Sequence, residues 1–404
     1  MTLLYGVVIL LVYAAIAIGR VPRLRMSRAS IALSGAALLV VLGAIDEADA
    51  IRAIDVGTLL LLGAMMVINT NLRLAGFFRA ITGRTLRIAR TPHSLLALLI
   101  ASSGLLSALF LNDTICLMLT PLVVDVTRRL QRDPVPYLVG LAAAANVGSV
   151  ATITGNPQNI IIGQASGIPY LTFLAYLGPV ALVGLVLCWL VIVLLFRQEF
   201  NGVLPQVTLP EPRPFTPLLN RTMLVVGALM VAFLLGAPVI TAACAAAGVL
   251  LVSRLRPQKL LALDWELLAF FAGLFAITGA IEATGISEQF FSAGEALLTS
   301  GVPGLSLITA VLSNLVSNVP AVLLLQTAIP ALDNPQQAWL TLAMASTLAG
   351  NFTLLGSAAT LIVAELAAQQ GTELRFSTYL RAGVPITVLT LIVGVVWLMV
   401  APVL

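Results

Sequence analysis

The stretch from Asn146 to Asn159 constrains this chain more than any other. It holds Gly148, Ser149, Thr152, Thr154, Gly155, Asn156, Pro157 and Gln158, yet residues 138–145 before it and 160–162 after it are membrane-grade apolar sequence. A lipid-facing helix cannot carry so many breakers without unpaired backbone groups, each costing several kcal/mol in hydrocarbon. Locally, Gly155 ends one helix, Asn156 is a good N-cap and Pro157 suits the first turn of a second. The second half-helix then points free N–H groups into the membrane interior, and the stretch faces protein or a water-filled cavity.

Composition sets the solvent. Apolar residues make up 60% of the chain and charged residues 9%, against about 25% charged in soluble domains. Long apolar runs with few charges predict helices rather than a barrel of alternating strands. Residues 2–19 have no basic region before them and no small-residue cleavage site, so they read as a first transmembrane helix and not a removed signal. Cys116, Cys188 and Cys244 lie singly in apolar runs, a pattern of neither disulfides nor metal sites. His93 is the one histidine, expected in a solvated basic loop, which excludes a histidine relay or a His-ligated metal. The net charge of +4 does not indicate nucleic acid, because the arginines fall in short clusters between apolar runs, as in a cytoplasmic membrane protein of bacterial type.

Taken in order, helices are expected at 3–18, 31–45 and 56–69, with an acidic loop at Asp46, Glu47 and Asp49 and an arginine-rich loop from Arg73 to Arg90. The apolar run 95–126 is interrupted at Asn112, Asp113 and Thr114 and has basic residues beyond both ends, which predicts a re-entrant hairpin with its tip near Asn112. A broken helix at 137–165 and a helix ending at Phe196 follow, then a proline-rich segment. Helices at 222–235, 239–252 and 265–281 come next, then a second interrupted run at 305–329 (Ser313, Asn314, Ser317, Asn318, Val319, Pro320). A second broken helix at 338–368, with Gly350, Asn351, Gly356 and Ser357, and a helix at 384–400 complete the chain.

This layout puts 20 of the 21 Lys and Arg residues on one side, Arg52 being the exception. The positive-inside rule then places both termini outside, the first hairpin entering from inside and the second from outside. Asp55 to Gly76 echoes Asp264 to Gly285, and Thr152 to Asn156 echoes Thr353 to Ser357. The reading is an all-α membrane protein of two inverted-topology repeats, residues 1–197 and 221–404, joined by a cytoplasmic linker at 198–220. About ten transmembrane helices and two re-entrant hairpins are expected, with a broken helix in each repeat. Inverted repeats with paired broken helices are the mark of a secondary transporter whose site lies at the midplane.

With both hairpins and both breaks in hand, the chain resembles the ion transporter superfamily over nearly its whole length. That group includes arsenite permeases, sodium/proton antiporters of the same fold, citrate-type carriers and divalent-anion/sodium symporters. The resemblance rests on Leu111 to Thr114 with Leu119-Thr120-Pro121, on Thr154 to Asn159, on Ser313 to Pro320 and on Gly350 to Ser357. The divalent-anion symporters use a Ser-Asn-Thr tripeptide at each tip; here the tips are Asn112-Asp113-Thr114 and Ser317-Asn318-Val319, closer to the arsenite-permease and anion-carrier branches. The resemblance implies a scaffold and a moving domain of hairpins and broken helices, and a homodimer.

Asp113 is the central candidate, because an acid at membrane depth is expensive and marks function by default. It can carry a proton or stand beside a cation. Asn112, Thr114, Thr154, Gly155, Asn156 and Asn159 offer oxygens to a hard cation or N–H groups to an anion, although helix capping would satisfy the same atoms. A sodium coupling ion is expected near Asn112, Asp113 and Asn156, and no other cofactor. Ser317, Asn318, Asn351, Thr353, Gly356 and Ser357 would form the symmetry-related site, weaker for a cation because Val319 lacks a hydroxyl. Glu365 reads as interfacial, Asp264 and Glu266 as helix caps, and Asp125 as the partner of Arg128 or Arg129. No arginine is expected at depth, so negative charge on a substrate falls to half-helix N-termini, amides and a co-bound cation.

The expected function is secondary active transport of a small anion coupled to sodium or protons, with arsenite or antimonite efflux and sodium/proton antiport as alternatives. The partners are then a small anion or metalloid and the lipid bilayer. An intramembrane enzyme is excluded by the want of a Ser-His pair, a zinc cluster or a second acid beside Asp113.

Overall fold

The computed structural model describes residues 2–18, 26–205, 216–252, 258, 263–286 and 294–401. Among these residues the secondary structure is helical throughout. The first repeat comprises α1 (Thr2–Ile18), α2 (Arg28–Val41), α3 (Glu47–Arg52), α4 (Val56–Leu74), α5 (Phe77–Ile88), α6 (Pro92–Leu109), α7 (Asn112–Arg129), α8 (Pro134–Ser149), α9 (Pro157–Ser166) and α10 (Tyr170–Leu195). The second comprises α11 (Thr216–Leu234), α12 (Val239–Leu251), α13 (Trp265–Ala283), α14 (Gly301–Val316), α15 (Asn318–Leu325), α16 (Pro335–Ala349), α17 (Ala358–Gln369) and α18 (Phe376–Val400).

Pairs α6–α7 and α14–α15 are the two hairpins; α8–α9 and α16–α17 are the two broken helices. Each repeat makes five crossings, an odd number, so the second begins on the face opposite the first. The helix pairings obey the same two-fold relation. Helix α2 packs on α13 as α4 packs on α12, α6 on α8 as α14 on α16, and α7 on α17 as α15 on α9. Each hairpin's returning arm therefore packs on the second half-helix of the other repeat.

The pairings also sort the helices into two packing groups. One holds α1, α2, α4 and α11 to α13; the other holds the hairpins, the broken helices, α10 and α18. Helices α8 and α16 lie at the centre of the second group and are buried on every face from Pro136 to Ser149 and from Ala338 to Ala349. Their small residues allow backbone contact: a Cβ at Gly148 would lie 2.2 Å from the Gly104 carbonyl oxygen on α6. Helices α10 and α18 turn large apolar side chains outward, Leu182, Val186, Ile392 and Val396 among them, as lipid-facing helices do. Six described helices are long and apolar enough to cross a membrane alone, including α4, α10, α13 and α18.

Three local readings change. The arginine-rich loop contains an amphipathic helix, α5, whose arginines look like loop residues when read for charge alone. The acidic loop contains α3, capped by the Asp46 carboxylate, which accepts from the Asp49 N–H at 2.7 Å. His93 is packed rather than simply solvated, with its ring 5.4 Å from Phe200 and 6.2 Å from Trp189; the Trp189 indole donates to the His93 carbonyl at 3.2 Å and holds it there. The arginines at 20, 23, 25, 213, 254 and 256, Lys259 and Glu288 lie outside the described residues.

The start of the linker is tied down. The Arg132 guanidinium donates to the carbonyls of Glu199 (3.1 Å), Asn201 (3.1 Å) and Val203 (3.2 Å). At the other end of this face Arg128 donates to the Gln370 carbonyl (2.6 Å) and the Thr372 hydroxyl (2.9 Å), joining the base of the first hairpin to the base of the second broken helix. Asp125 pairs with Arg129, both oxygens at 2.9 Å from Nε.

Candidate functional site

The two breaks are built alike. Asn156 caps α9, its Oδ1 accepting from the Asn159 N–H at 2.9 Å, and Pro157 occupies the first turn. Ser357 caps α17, its hydroxyl accepting from the Thr360 N–H at 3.2 Å. Each hairpin tip is stitched to the break of its own repeat through a glycine carbonyl. The Asn112 N–H donates to Gly155 at 3.0 Å; the Asn318 amide, oriented to donate, reaches the carbonyls of Gly356 and Ser346 at 3.2 Å. No larger residue fits at Gly155, where a Cβ would lie 2.3 Å from the Ser149 carbonyl oxygen.

The Asn146 amide is among the groups that join the two halves. The Asn146 Nδ2 donates to Asn351 Oδ1 (2.8 Å) and to the Ser357 hydroxyl (2.9 Å), while its Oδ1 accepts from Asn112 Nδ2 (3.0 Å). Asn112 Oδ1 in turn accepts from the Asp113 N–H at 2.9 Å. The first tip and both sides of the second break thus share one fully buried junction.

In front of this junction lies a cavity of about 630 Å³, within the range of small-molecule sites. Asn112, Asp113, Thr114, Ser317, Asn318 and Ser357 line it, as do Pro157 and Gln158 from the first break. Four half-helix N-termini therefore meet at one floor: α7, α9, α15 and α17. Each presents the positive end of a peptide dipole, worth about 0.3–1 kcal/mol to a nearby anion and more in partly buried geometry. Asp113 stands among them as an acid in the first turn of α7. Ser317, at the second tip, holds φ +79° and ψ 159°, a region that glycine alone occupies readily.

The remaining candidates stand behind the wall. The Thr154 hydroxyl lies against the Tyr170 hydroxyl at 3.3 Å. Asn156 Nδ2 donates to the Ser149 hydroxyl at 2.9 Å, and Asn159 Nδ2 to the carbonyls of Ser149 and Thr152 at 3.0 and 2.9 Å. These amides hold the break in shape. Gly155 and Gly356 offer their carbonyls to the tips, Asn351 belongs to the junction, and Thr353 is half-buried outside the cavity lining.

The other wall comes from the first packing group and was not foreseen. Arg28, the first residue of α2, and Arg73, near the end of α4, line the cavity together with Asp264 and Glu266 at the start of α13. The expectation was of no arginine at depth; Arg28 and Arg73 stand at helix ends and still reach the cavity, and Asp264, besides capping α13 by accepting from the Leu267 N–H at 3.0 Å, lines it too. The reason is vertical position. The first tip is level with the last turns of α4: Asn69 Nδ2 donates to the Thr114 hydroxyl at 3.4 Å, and the Phe110 ring stands 6.0 Å from Phe77 and 5.8 Å from Phe78. Tips at mid-height would meet the middle of α4; these meet the end that carries Arg73, its one arginine. The polar run Asn69-Thr70-Asn71 inside an apolar helix was the sequence signal for this wall.

The fold defines a class, a multi-pass membrane protein of two inverted repeats, with a cavity between paired hairpins and broken helices. The chain belongs to the citrate transporter family, whose model matches residues 11–349, within the ion transporter superfamily. It is 30% identical to the silicon efflux transporter LSI3 of Oryza sativa subsp. japonica, with 93% of each chain covered. It is 23% identical to a Dictyostelium discoideum transporter named arsB, over 92% of this chain and 87% of that one. The crystal structure of the Alcanivorax borkumensis YdaH transporter, described as having an unusual topology, shares the fold with a TM-score of 0.59 at 16% identity, covering 98% of this chain and 97% of that one. The chain is a membrane transporter and not an enzyme.

Proposed function

We propose that this transporter is a secondary active carrier that moves a small anion by alternating access, coupled to a proton or a sodium ion at Asp113. The convergence of four half-helix N-termini on one ionisable side chain carries this reading. The dipoles favour negative charge, the carboxylate favours a proton or cation, and each lowers the cost of the other. Asn112 and Asp113 supply adjacent oxygens for sodium, with Asn156 fixing the break behind them. On the positive-inside reading, this conformation opens to the inside.

A second reading, efflux of an uncharged metalloid hydroxide, is favoured by the name of the silicon efflux transporter LSI3, and the amides and hydroxyls of the cavity would serve such a solute as hydrogen-bond partners. The test is accumulation by purified protein in liposomes under an imposed proton or sodium gradient, with citrate, sulfate, phosphate, arsenite and silicic acid as solutes. Asp113→Asn is expected to abolish gradient-driven accumulation while leaving solute binding within about tenfold of wild type, a change of about 1.4 kcal/mol. Full accumulation by this variant would remove Asp113 from the coupling mechanism.

A further inference from the structure

Helix α5 starts and ends on one face of the membrane, because α4 finishes there and α6 begins there. Its 12 residues span about 18 Å, too short for a hydrocarbon core of about 30 Å. It therefore lies along the membrane surface, and it leaves α4 through a sharp turn at Gly76 (φ +76°). Helical spacing divides it lengthwise. Positions 79, 83, 84 and 87 form a basic stripe, and positions 77, 78, 81 and 88 an apolar one. Protein covers one end of the apolar stripe: Phe77 and Phe78 are buried against Phe110, two residues before the first tip. At the other end Ile88 is 70% exposed, and Arg84, one turn before it, and Arg90 are exposed with it.

Nothing nearby neutralises this surface. Among the described residues neither Arg84 nor Arg90 makes an ion pair, and from Val56 to Asn112 the chain holds five arginines and no acid. The matching stretch of the second repeat follows Gly285 (φ +69°). It carries Glu288 and Glu295 and no basic residue as far as Ser317, and the two-fold relation puts it on the opposite face. The same stretch of the repeat thus changes sign with the leaflet it meets, which packing within the protein does not require. We propose that α5 is a binding surface for the phosphate headgroups of anionic lipids: its arginines hold the headgroups while Ile88 enters the acyl boundary, as a basic amphipathic helix does. The exposed isoleucine favours a lipid over free phosphate, which would satisfy the arginines alone. Because α5 connects the two packing groups and is seated beside the first tip, bound lipid fixes the height at which the first hairpin leaves the membrane surface.

The test places a bimane label at Ile88→Cys in the full-length protein. Cys244 is replaced by alanine, while Cys116 and Cys188 are buried and stay unlabelled. The protein is reconstituted in phosphatidylcholine vesicles containing a minor fraction of phosphatidylglycerol, with brominated acyl chains on one lipid or the other at equal mole fraction. Brominated phosphatidylglycerol is expected to quench the label several-fold more strongly than brominated phosphatidylcholine. The ratio should fall towards one at high salt, where attraction to the headgroups is screened. Arg84→Gln with Arg90→Gln should lower it likewise at low salt, with quenching by phosphatidylcholine retained. Equal quenching by the two lipids without the arginine substitutions overturns the proposal. So does an absence of quenching by either, which would lift α5 off the bilayer. Both of these readouts stand even where the arginine variant fails to fold. An unchanged ratio in a folded variant overturns the assignment of the headgroup contacts to α5.

Discussion

Asn146 shows how much one side chain can hold. Its amide is the shared partner of Asn112, Asn351 and Ser357, and an apolar replacement would strand buried polar atoms, each costing about 1–3 kcal/mol. Asn146→Leu is therefore expected to lower thermal stability in detergent by about 3 kcal/mol or more, and an unchanged unfolding midpoint would show that the junction relaxes around the loss. Ser317 presents the opposite case. Its φ of +79° stores about 1–3 kcal/mol in a non-glycine residue. Ser317→Gly should raise the unfolding temperature, net of the greater chain entropy of glycine, and a fall would mean that the hydroxyl is worth more than the strain. At this scale the sequence was informative wherever a polar residue sat in apolar surroundings, as at Asn112, Asp113 and Ser357. It was silent on Arg28 and Arg73. Both lie among other arginines near helix ends, and what brings them to the cavity is the height of the hairpin tip, which no local pattern encodes.

Among the elements, hairpins and breaks were legible because their physics is local: a cap, a proline in the first turn and a glycine where backbones touch, as at Gly155. Helix α5 was not, because its arginines recur at helical spacing but read as an unbroken basic loop. Nor did the proline-rich linker betray how firmly it begins. The guanidinium of Arg132 gathers three of its carbonyls. Arg132→Ala should free that segment, and limited trypsinolysis in detergent is expected to cut the 197–221 region several-fold faster than in wild type. Equal rates would assign the restraint to Phe200, which packs on Tyr137 and His93.

Over the whole molecule, the inverted relation of the repeats was readable from sequence echoes and the order of hairpins and breaks, because an odd number of crossings in each half turns the second over. The division into two packing groups was implied by resemblance alone, since it depends on which helices touch. If sodium is the coupling ion and binds only the folded carrier, it should stabilise the protein by about 2.7 kcal/mol at a hundred times its dissociation constant. A saturable rise in melting temperature in sodium over choline is the expected result. Equal melting in both salts would leave the proton as the coupling ion.

The height of the first tip against α4 has one more consequence. Because the hairpin meets the last turns of that helix and not its middle, a slide of the second group along α4 would shift its apolar surface against that of the first, and the surrounding lipid would have to follow. Deforming a bilayer to cover such an offset costs fractions of a kcal/mol for each ångström. On the alternating-access reading, the thickness of the host membrane should then change the turnover number, and equal transport in liposomes of thin and thick bilayers would count against such a slide.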